Sequence, residues 1–135
     1  MNLTFNVNQP IETVFEYLTD MQKFASVHPI ISKIEQLEGT NYLVYETLKV
    51  GFIPFSFTYP VRIESNFEDK KICIKAVVMK LTKIDMNYSL HTENNITIIN
   101  EIITFKSILP IRPIMEAIFR KQHKQLFENI ETVTT

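Results

Sequence analysis

Residues 109–133, LPIRPIMEAIFRKQHKQLFENIETV, decide the fold of this chain. Nearly everything between Ile30 and Lys106 has the pattern of β-strands, so a long helix that follows them must pack across a sheet. At about 100° per residue, the apolar side chains of the segment gather on one face of a single amphipathic helix. These side chains are Ile111, Met115, Ile118, Phe119, Leu126, Ile130 and Val133.

An amide interrupts the apolar face of this helix. Gln122 falls in the middle of the face, and His123 lies on its flank beside Phe119 and Phe127. Burying an unpaired amide costs roughly 1–3 kcal/mol, so Gln122 needs a polar partner. For a lone amide, the commoner partner is a strand backbone or a nearby side chain. The alternative is a water molecule or a ligand group in a pocket.

Size and composition exclude several classes of protein. At 135 residues and 15.8 kDa, we expect one domain spanning residues 1–135. The net charge of −1, with both signs mixed along the chain, argues against nucleic acid as a partner. Gly39 and Gly51 are the only glycines, which excludes glycine-rich phosphate-binding loops.

The sequence also indicates a compartment. Cys73 is the single cysteine and cannot form an internal disulfide, which fits a reducing environment. The amino terminus lacks the pattern of a secretory signal, and no apolar run approaches the roughly 20 residues of a membrane span. We therefore expect a cytoplasmic protein without an integral membrane segment.

The order of elements predicts a curved sheet. Period-two alternation and turn residues indicate one strand, two short helices, six strands and the final helix. Asp20 can cap the second short helix, Met21 to Val27, and His28-Pro29 ends it. Strands joined by hairpins form a continuous antiparallel sheet, and about seven of them curl around the one long helix. The prediction is an α+β fold, with a cavity wherever side chains do not fill the space between helix and sheet.

Apolar side chains predict the walls of such a cavity. Phe55, Phe57 and Tyr59 alternate with polar residues along one strand, so they form a buried aromatic face. The final helix adds Met115, Ile118, Phe119 and Leu126. Gln122, Tyr59 and Glu46 are the candidates to bind a polar head group, because ligand pockets contain a few polar groups among apolar ones.

Two carboxylates raise the possibility of catalysis. Glu46 and Glu101 each alternate with apolar residues, but the opposite faces of their strands are apolar too. An outward glutamate is the commoner arrangement. If both point inward, they form a candidate acid–base pair, because burial raises the pKa of a carboxyl group.

Two histidines are further candidates for acid–base catalysis, although the sequence does not assign a catalytic residue. His28 and His123 complete the set of candidate ionisable groups in the cavity. Neither has a metal-ligand partner at helical spacing or a nearby cysteine, so no metal and no cofactor is expected. No nucleophile is identified, and the catalytic residues stay unassigned.

The element order and several short motifs resemble the helix-grip superfamily. The motifs are Phe5-x-Val7, then Pro10-Ile11-Glu12-x-Val14-Phe15, then His28-Pro29-x-Ile31, and the terminal amphipathic helix. This SRPBCC or START-like superfamily includes Bet v 1-like proteins such as the birch-pollen allergen, plant hormone receptors, polyketide cyclase and dehydratase-like proteins, and Hsp90-activator homology proteins. The chain departs from the pollen-allergen branch in lacking its glycine-rich loop, since only Gly39 stands there.

The resemblance implies an apolar cavity and two loops over its mouth. In ligand-receptor members, the loops after the third and fifth strands act as gate and latch. Residues 51–54 and 78–82 correspond to them by order, and Phe52, Ile53 and Met79 make them apolar for turns. These side chains either face a hydrophobic ligand or only cover the edge of the core.

Three functions are compatible with this pattern. The favoured one is binding of a small hydrophobic ligand, such as a lipid, a quinone or a polyketide-like compound. A cyclase or dehydratase-like enzyme would need inward ionisable groups from the set Glu46, Glu101, His28 and His123. A protein-interaction module, like the Hsp90-activator or ribosome-associated toxin branches, would use the apolar turn at Phe52 and Ile53 for transient membrane or protein contact.

Overall fold

The computed structural model describes residues 1–134, which form one antiparallel sheet and three helices. The element order and the α+β class predicted from the sequence are confirmed. The elements are β1 (Asn2–Val7), α1 (Ile11–Thr19), α2 (Met21–Val27), β2 (Ile31–Gln36), β3 (Asn41–Val50), β4 (Ile53–Asn66), β5 (Lys71–Val78), β6 (Thr82–Glu93), β7 (Ile96–Ser107) and α3 (Arg112–Glu131).

The seven strands pair in the order β1-β7-β6-β5-β4-β3-β2. Strands β2 to β7 are sequential hairpin neighbours, while β1 lies against β7 with Leu3 opposite Glu101. The first strand therefore closes one edge of the sheet and β2 forms the other. Because side chains alternate along each strand, this register decides which residues of β7 face the helices.

The hairpin of β3 and β4 extends beyond the rest of the sheet. Strand β4 pairs with β3 from Ile53 onward, but its pairing with β5 begins only at Val61, opposite Ala76. The amino-terminal half of β4 is therefore covered by a neighbour on one side alone. Its aromatic side chains are consequently less buried than the alternation predicted, and Phe55 is 46% exposed.

The short helix α2 forms as the sequence predicts. The Asp20 carboxylate accepts hydrogen bonds from the backbone N–H groups of Gln22 and Lys23, at 3.0 and 3.2 Å. The helix ends at Val27, where His28 adopts an extended conformation before Pro29. This ending turns the chain into β2 and places His28 beside the long helix.

The long helix α3 is divided into two environments. Leu126, Phe127 and Ile130 in its carboxyl-terminal half are buried in the core, where the rings of Phe127 and Phe5 stack at 4.6 Å. Met115 and Ile118 in its amino-terminal half are only half-buried. The helix thus seals a dry core with one half, and the other half stands away from the sheet.

Candidate functional site

A cavity of about 250 Å³ separates the amino-terminal half of α3 from the sheet. Its lining is mostly apolar and comes from α2, strands β2 to β6 and the segment 109–123. An apolar cavity of 150 Å³ is known to hold benzene, so this one has room for a larger ligand. Six of the predicted wall residues line it from the strand β4 and the helix α3: Phe55, Phe57, Tyr59, Met115, Ile118 and Phe119.

Two residues predicted for the cavity lie elsewhere. Leu126 is fully buried in the core below the cavity, because it follows Gln122 by one helical turn towards the closely packed half of α3. Glu101 does point inward, yet it lies behind His123 and does not line the cavity.

Gln122 lies on the cavity wall without a protein partner. Its side chain is 9% exposed, and its amide makes no hydrogen bond with any residue between 1 and 134. The commoner arrangement, pairing with a strand backbone or a nearby side chain, is thus not what the structure shows. The amide is left for a group inside the cavity.

Glu46 and Tyr59 form a second polar element on the opposite wall. The Tyr59 hydroxyl donates a hydrogen bond of 2.9 Å to Glu46 Oε1, and both residues line the cavity. Burial raises the pKa of the Glu46 carboxyl group, while Tyr59 and the charge of His123 oppose that shift. Burial, together with the Glu46 charge and hydrogen bond, raises the pKa of Tyr59 well above its usual value.

His123 and Glu101 form a buried pair at the inner end of the cavity. His123 Nδ1 lies 2.7 Å from both Glu101 Oε1 and Oε2, and the two residues are 2% and 1% exposed. The hydrogen bond joins Nδ1 to Oε1, and Oε2 is buried without one among residues 1–134. The Tyr88 ring lies beside the pair, and burial followed by the Glu101 charge raises its pKa well above the usual value.

His28 faces His123 across the inner end of the cavity. The two ring centroids are 6.4 Å apart, with the rings at 83° to each other. His28 Nδ1 accepts a hydrogen bond of 3.3 Å from the Ile30 backbone N–H. Burial, and secondarily the charge of His123, lowers the pKa of His28 to about 3, so its ring is neutral at physiological pH.

Acidification is expected to destabilise the protein through His28. The unfolded chain binds a proton on this residue below its ordinary pKa of 6.5, whereas the folded protein does so only near pH 3. The free energy of unfolding therefore falls as pH drops through this window, by about 1 kcal/mol per pH unit. Urea unfolding at a series of pH values measures the slope. His28→Asn, which retains an acceptor for the Ile30 N–H, should reduce that slope; an unchanged slope would contradict this account.

Three segments surround the mouth of the cavity with exposed apolar side chains. Phe55, Met79, Leu81 and Leu109 line the opening and are 42–59% exposed. Of the predicted gate residues, Met79 thus lies at the mouth, in a turn where both it and Lys80 have positive φ. Phe52 and Ile53 do not line the cavity. They project from the tip of the β3–β4 hairpin, 102% and 72% exposed.

The described part of the chain offers neither a metal cluster nor a membrane-spanning helix. No group of three or more His, Cys, Asp or Glu side chains between residues 1 and 134 is placed to hold a metal ion. No helix in the same range combines the length and hydropathy needed to cross a bilayer.

Residues 4–103 match the family of CoxG, a subunit of carbon monoxide dehydrogenase. The chain belongs to the CoxG family. The matched region runs from β1 into β7 and ends before α3, so Gln122 and His123 lie outside it. The polar inner end of the cavity in this CoxG-family chain is therefore built partly from a helix that the family match does not cover. No curated protein sequence matches the chain.

Solved structures share the helix-grip fold of this CoxG-family chain. A START superfamily protein from Mycobacterium smegmatis superposes with a TM-score of 0.78 at 14% identity, covering 97% of this chain and 93% of that one. Ara h 8.0201 gives 0.75 at 15% identity, with coverage of 97% and 93%. The Zhui aromatase/cyclase from Streptomyces sp. R1128 gives 0.72 at 15% identity, with coverage of 97% and 90%. At such identities the likeness concerns the fold. The CoxG family match, together with this fold, confirms the superfamily predicted from the sequence.

The sequence reasoning missed how the ionisable residues pair. It grouped Glu46 with Glu101 as two carboxylates, whereas the structure pairs Glu46 with Tyr59 and Glu101 with His123. Tyr59 lies opposite Val44 in the β3–β4 register and Glu46 lies two residues further along the same face, so that hairpin carried a usable signal. No sequence signal connects Glu101 on β7 with His123 on α3.

Proposed function

We propose that this protein binds a small hydrophobic ligand with a polar head group in the cavity between α3 and the sheet. The observation that carries the proposal is the amide of Gln122, which lies on the mostly apolar cavity lining and makes no hydrogen bond with residues 1–134. A ligand oxygen in the cavity would give this amide a hydrogen-bond partner. A lipid, a quinone or a polyketide-like compound has the required combination of an apolar body and an oxygen-bearing head.

The distribution of wall residues supports one orientation of the ligand. Polar groups lie at the inner end, where Gln122, His123 and His28 line the cavity, and the mouth is apolar. The head group would therefore enter first and the apolar body would lie among Phe57, Phe119 and their neighbours.

Native mass spectrometry of the purified protein tests the proposal by detecting a bound lipid, and thermal unfolding with added decanoate tests it with a defined probe. Absence of both a bound molecule and a thermal shift would contradict the proposal.

Gln122→Leu is expected to weaken decanoate binding by about tenfold, because the carboxylate loses a hydrogen bond within an apolar site. Isothermal titration measures the change. Gln125→Leu is the matched control, since that amide is exposed and bonded to Asn129 at 2.8 Å. If Gln122→Leu stabilises the protein and leaves binding intact, the amide does not contact the ligand.

The mouth supports ligand exchange at a membrane surface. Phe52 and Ile53 are exposed at the tip of the β3–β4 hairpin, next to the mouth of the cavity. The cations Lys49, Lys80 and Arg112 lie in or close to the three segments that surround the mouth. Apolar side chains beside cations favour contact with an anionic bilayer. We expect Phe52→Asp with Ile53→Asp to abolish co-sedimentation with vesicles of phosphatidylcholine and phosphatidylglycerol. Leu37→Asp, at an exposed position on the β2–β3 turn, is the control. Equal sedimentation of both variants would instead favour a protein as the partner of this tip.

Acid–base catalysis is the second candidate function, favoured because Glu46 and Glu101 both point inward and each is bonded to a second ionisable side chain. Such pairs suit proton abstraction next to a carbonyl group, as in cyclisation or dehydration. Exchange of the α-protons of 2-tetralone in D2O, followed by NMR, distinguishes the two functions. If the protein does not change the exchange rate, catalysis is rejected and ligand binding remains as the proposed function.

A further inference from the structure

The β2 edge of the sheet is protected against pairing with a further strand. The pairing of β2 with β3 shifts register between Ile31 and Lys33, and Lys33 forms an ion pair with Glu35. Gln22 of α2 also donates a hydrogen bond of 3.1 Å to the Ile34 carbonyl. Bulges, charged side chains and a covering element are the means by which proteins prevent edge strands from associating.

The β1 edge lacks both the bulge and the charges. Its six residues, NLTFNV, are all uncharged, and they pair with β7 without a register shift. A regular, uncharged edge strand is a template for pairing with another strand. The two edges of one sheet thus differ, and β1 is the one that is open to a partner.

Three residues of β1 direct their backbone polar groups away from β7. Met1 exchanges two hydrogen bonds with Ile103, at 3.0 and 2.9 Å. Because alternate residues of an antiparallel strand bond to the same neighbour, the N–H and C=O groups of Asn2, Thr4 and Asn6 point to the open side.

The helix α3 covers only the far end of this edge. The Asn8 N–H donates a hydrogen bond of 2.9 Å to Glu131, and the Phe127 ring stacks on Phe5. An open groove runs between the helix and the strand along Asn2–Asn6. The residues that line this groove are not those that line the cavity.

The charges of α3 change sign along the groove. Arg120 and Lys124 border it first, followed by Glu128 and Glu131, and all four residues are exposed. Glu131 lies at the carboxyl-terminal end of β1, so the cations lie towards the amino-terminal end of the strand. A second copy of the groove in the antiparallel direction would therefore bring opposite charges together.

We infer that two copies of this chain form a symmetric dimer in which their β1 strands pair antiparallel about Thr4. The strand is nearly palindromic around this residue. Asn2 then lies opposite Asn6 of the other copy, and Leu3 opposite Phe5, which is only half-buried in one copy. The free backbone groups pair across the twofold axis, and the two sheets become continuous.

The charges of α3 support a second copy over other occupants of this edge. The twofold axis through Thr4 brings the cations Arg120 and Lys124 of each helix beside the carboxylates of the other. An extended peptide from another protein would use the same backbone groups, but it would require neither the near-palindrome nor the reversal of charge. The dimer accounts for both features.

Sedimentation equilibrium from about 10 μM to about 1 mM tests the dimer, with an expected dissociation constant below about 100 μM. The mass should rise with concentration towards twice the 15.8 kDa of the chain. Thr4→Lys places two like charges opposite each other and should raise the dissociation constant at least about tenfold. The matched control is Thr104→Lys, at an exposed position on the interior strand β7, which should leave it unchanged.

Two results of this experiment overturn the inference. A monomer at every concentration leaves the β1 edge to an extended peptide of another protein. A dimer with the same dissociation constant in Thr4→Lys and Thr104→Lys uses another interface. Neither result affects the proposed ligand binding, because the groove and the cavity are lined by different residues.

A charge reversal tests the antiparallel arrangement of the helices. Lys124→Glu and Glu128→Lys should each weaken self-association by about tenfold, because like charges then face each other across the axis. An equimolar mixture of the two variants should form a heterodimer of opposite charges and recover the dimer mass. A mixture that sediments as monomers overturns the inference.

Amide hydrogen exchange by NMR assigns the contact to β1. The Leu3 and Phe5 amides bond to β7 and should be protected at every concentration, so they are the internal reference. We expect the Thr4 and Asn6 amides to exchange rapidly in dilute protein and to become at least about tenfold slower as the dimer forms. Rapid exchange of these two amides in the dimer overturns the inference.

Discussion

His123→Phe is expected to lower the free energy of unfolding by about 3–5 kcal/mol, because it takes the imidazole partner away from a buried carboxylate. Glu101 is 1% exposed, and Nδ1 of His123 lies 2.7 Å from its carboxylate. Phenylalanine fills the space of the imidazole ring but donates nothing. The carboxylate would remain buried without its imidazole partner.

A double-mutant cycle shows that this loss arises from the pair. Glu101→Leu with His123→Phe should be less destabilising than His123→Phe alone, because no charged group is left buried. Urea unfolding followed by circular dichroism measures all four proteins. His91→Phe, at the exposed pair with Glu93, should change stability by less than about 0.5 kcal/mol. A similar small effect for His123→Phe would contradict the importance of the buried pair.

Leu126→Ala is expected to cost about 3 kcal/mol or more, while Ile118→Ala costs less than about 1.5 kcal/mol. Both substitutions remove a branched aliphatic side chain from α3. Leu126 is fully buried in the core, whereas Ile118 is half-buried on the cavity wall and already borders empty space. The loss of packing and the new void are therefore much larger at position 126.

Ligand binding should respond in the reverse order. Ile118→Ala alters the wall and should change the affinity for decanoate, whereas Leu126→Ala should leave it unchanged wherever the protein remains folded. Equilibrium unfolding and isothermal titration of the two variants provide the measurements. Equal stability losses would show that Leu126 borders the cavity after all, as the helical pattern predicted.

The element order could be predicted because it depends on local signals. Alternation, turn residues and the Asp20 cap each act within a few residues, and together they gave α2 its observed bounds. The central position of Gln122 also follows from helical periodicity alone. Its position on the cavity wall depends on where α3 leaves the sheet, which no local pattern reports.

The faces of β7 show why the site could not be predicted fully. Ile102 has an apolar side chain, which favours the core, and its neighbour Glu101 has a charged one, which favours solvent. Nevertheless, Ile102 is 52% exposed and Glu101 is buried. The register with β1 and β6 sets this orientation, and His123 makes the buried carboxylate tolerable. Both causes are long-range contacts. A prediction from hydropathy alone places these two side chains the wrong way round.

The two ends of α3 lie in different surroundings, so we expect different free energies of local unfolding at each end. Its amino-terminal end has no side-chain cap at Ile111 and borders the cavity, while its carboxyl-terminal end is anchored in the core through Phe127 and Ile130. Hydrogen exchange should therefore detect local unfolding of residues 112–121 well before global unfolding, and uniform protection along α3 would contradict this. Fraying of that end would widen the space between the helix and the sheet while the sheet stays intact, and a ligand could then enter the cavity beside α3.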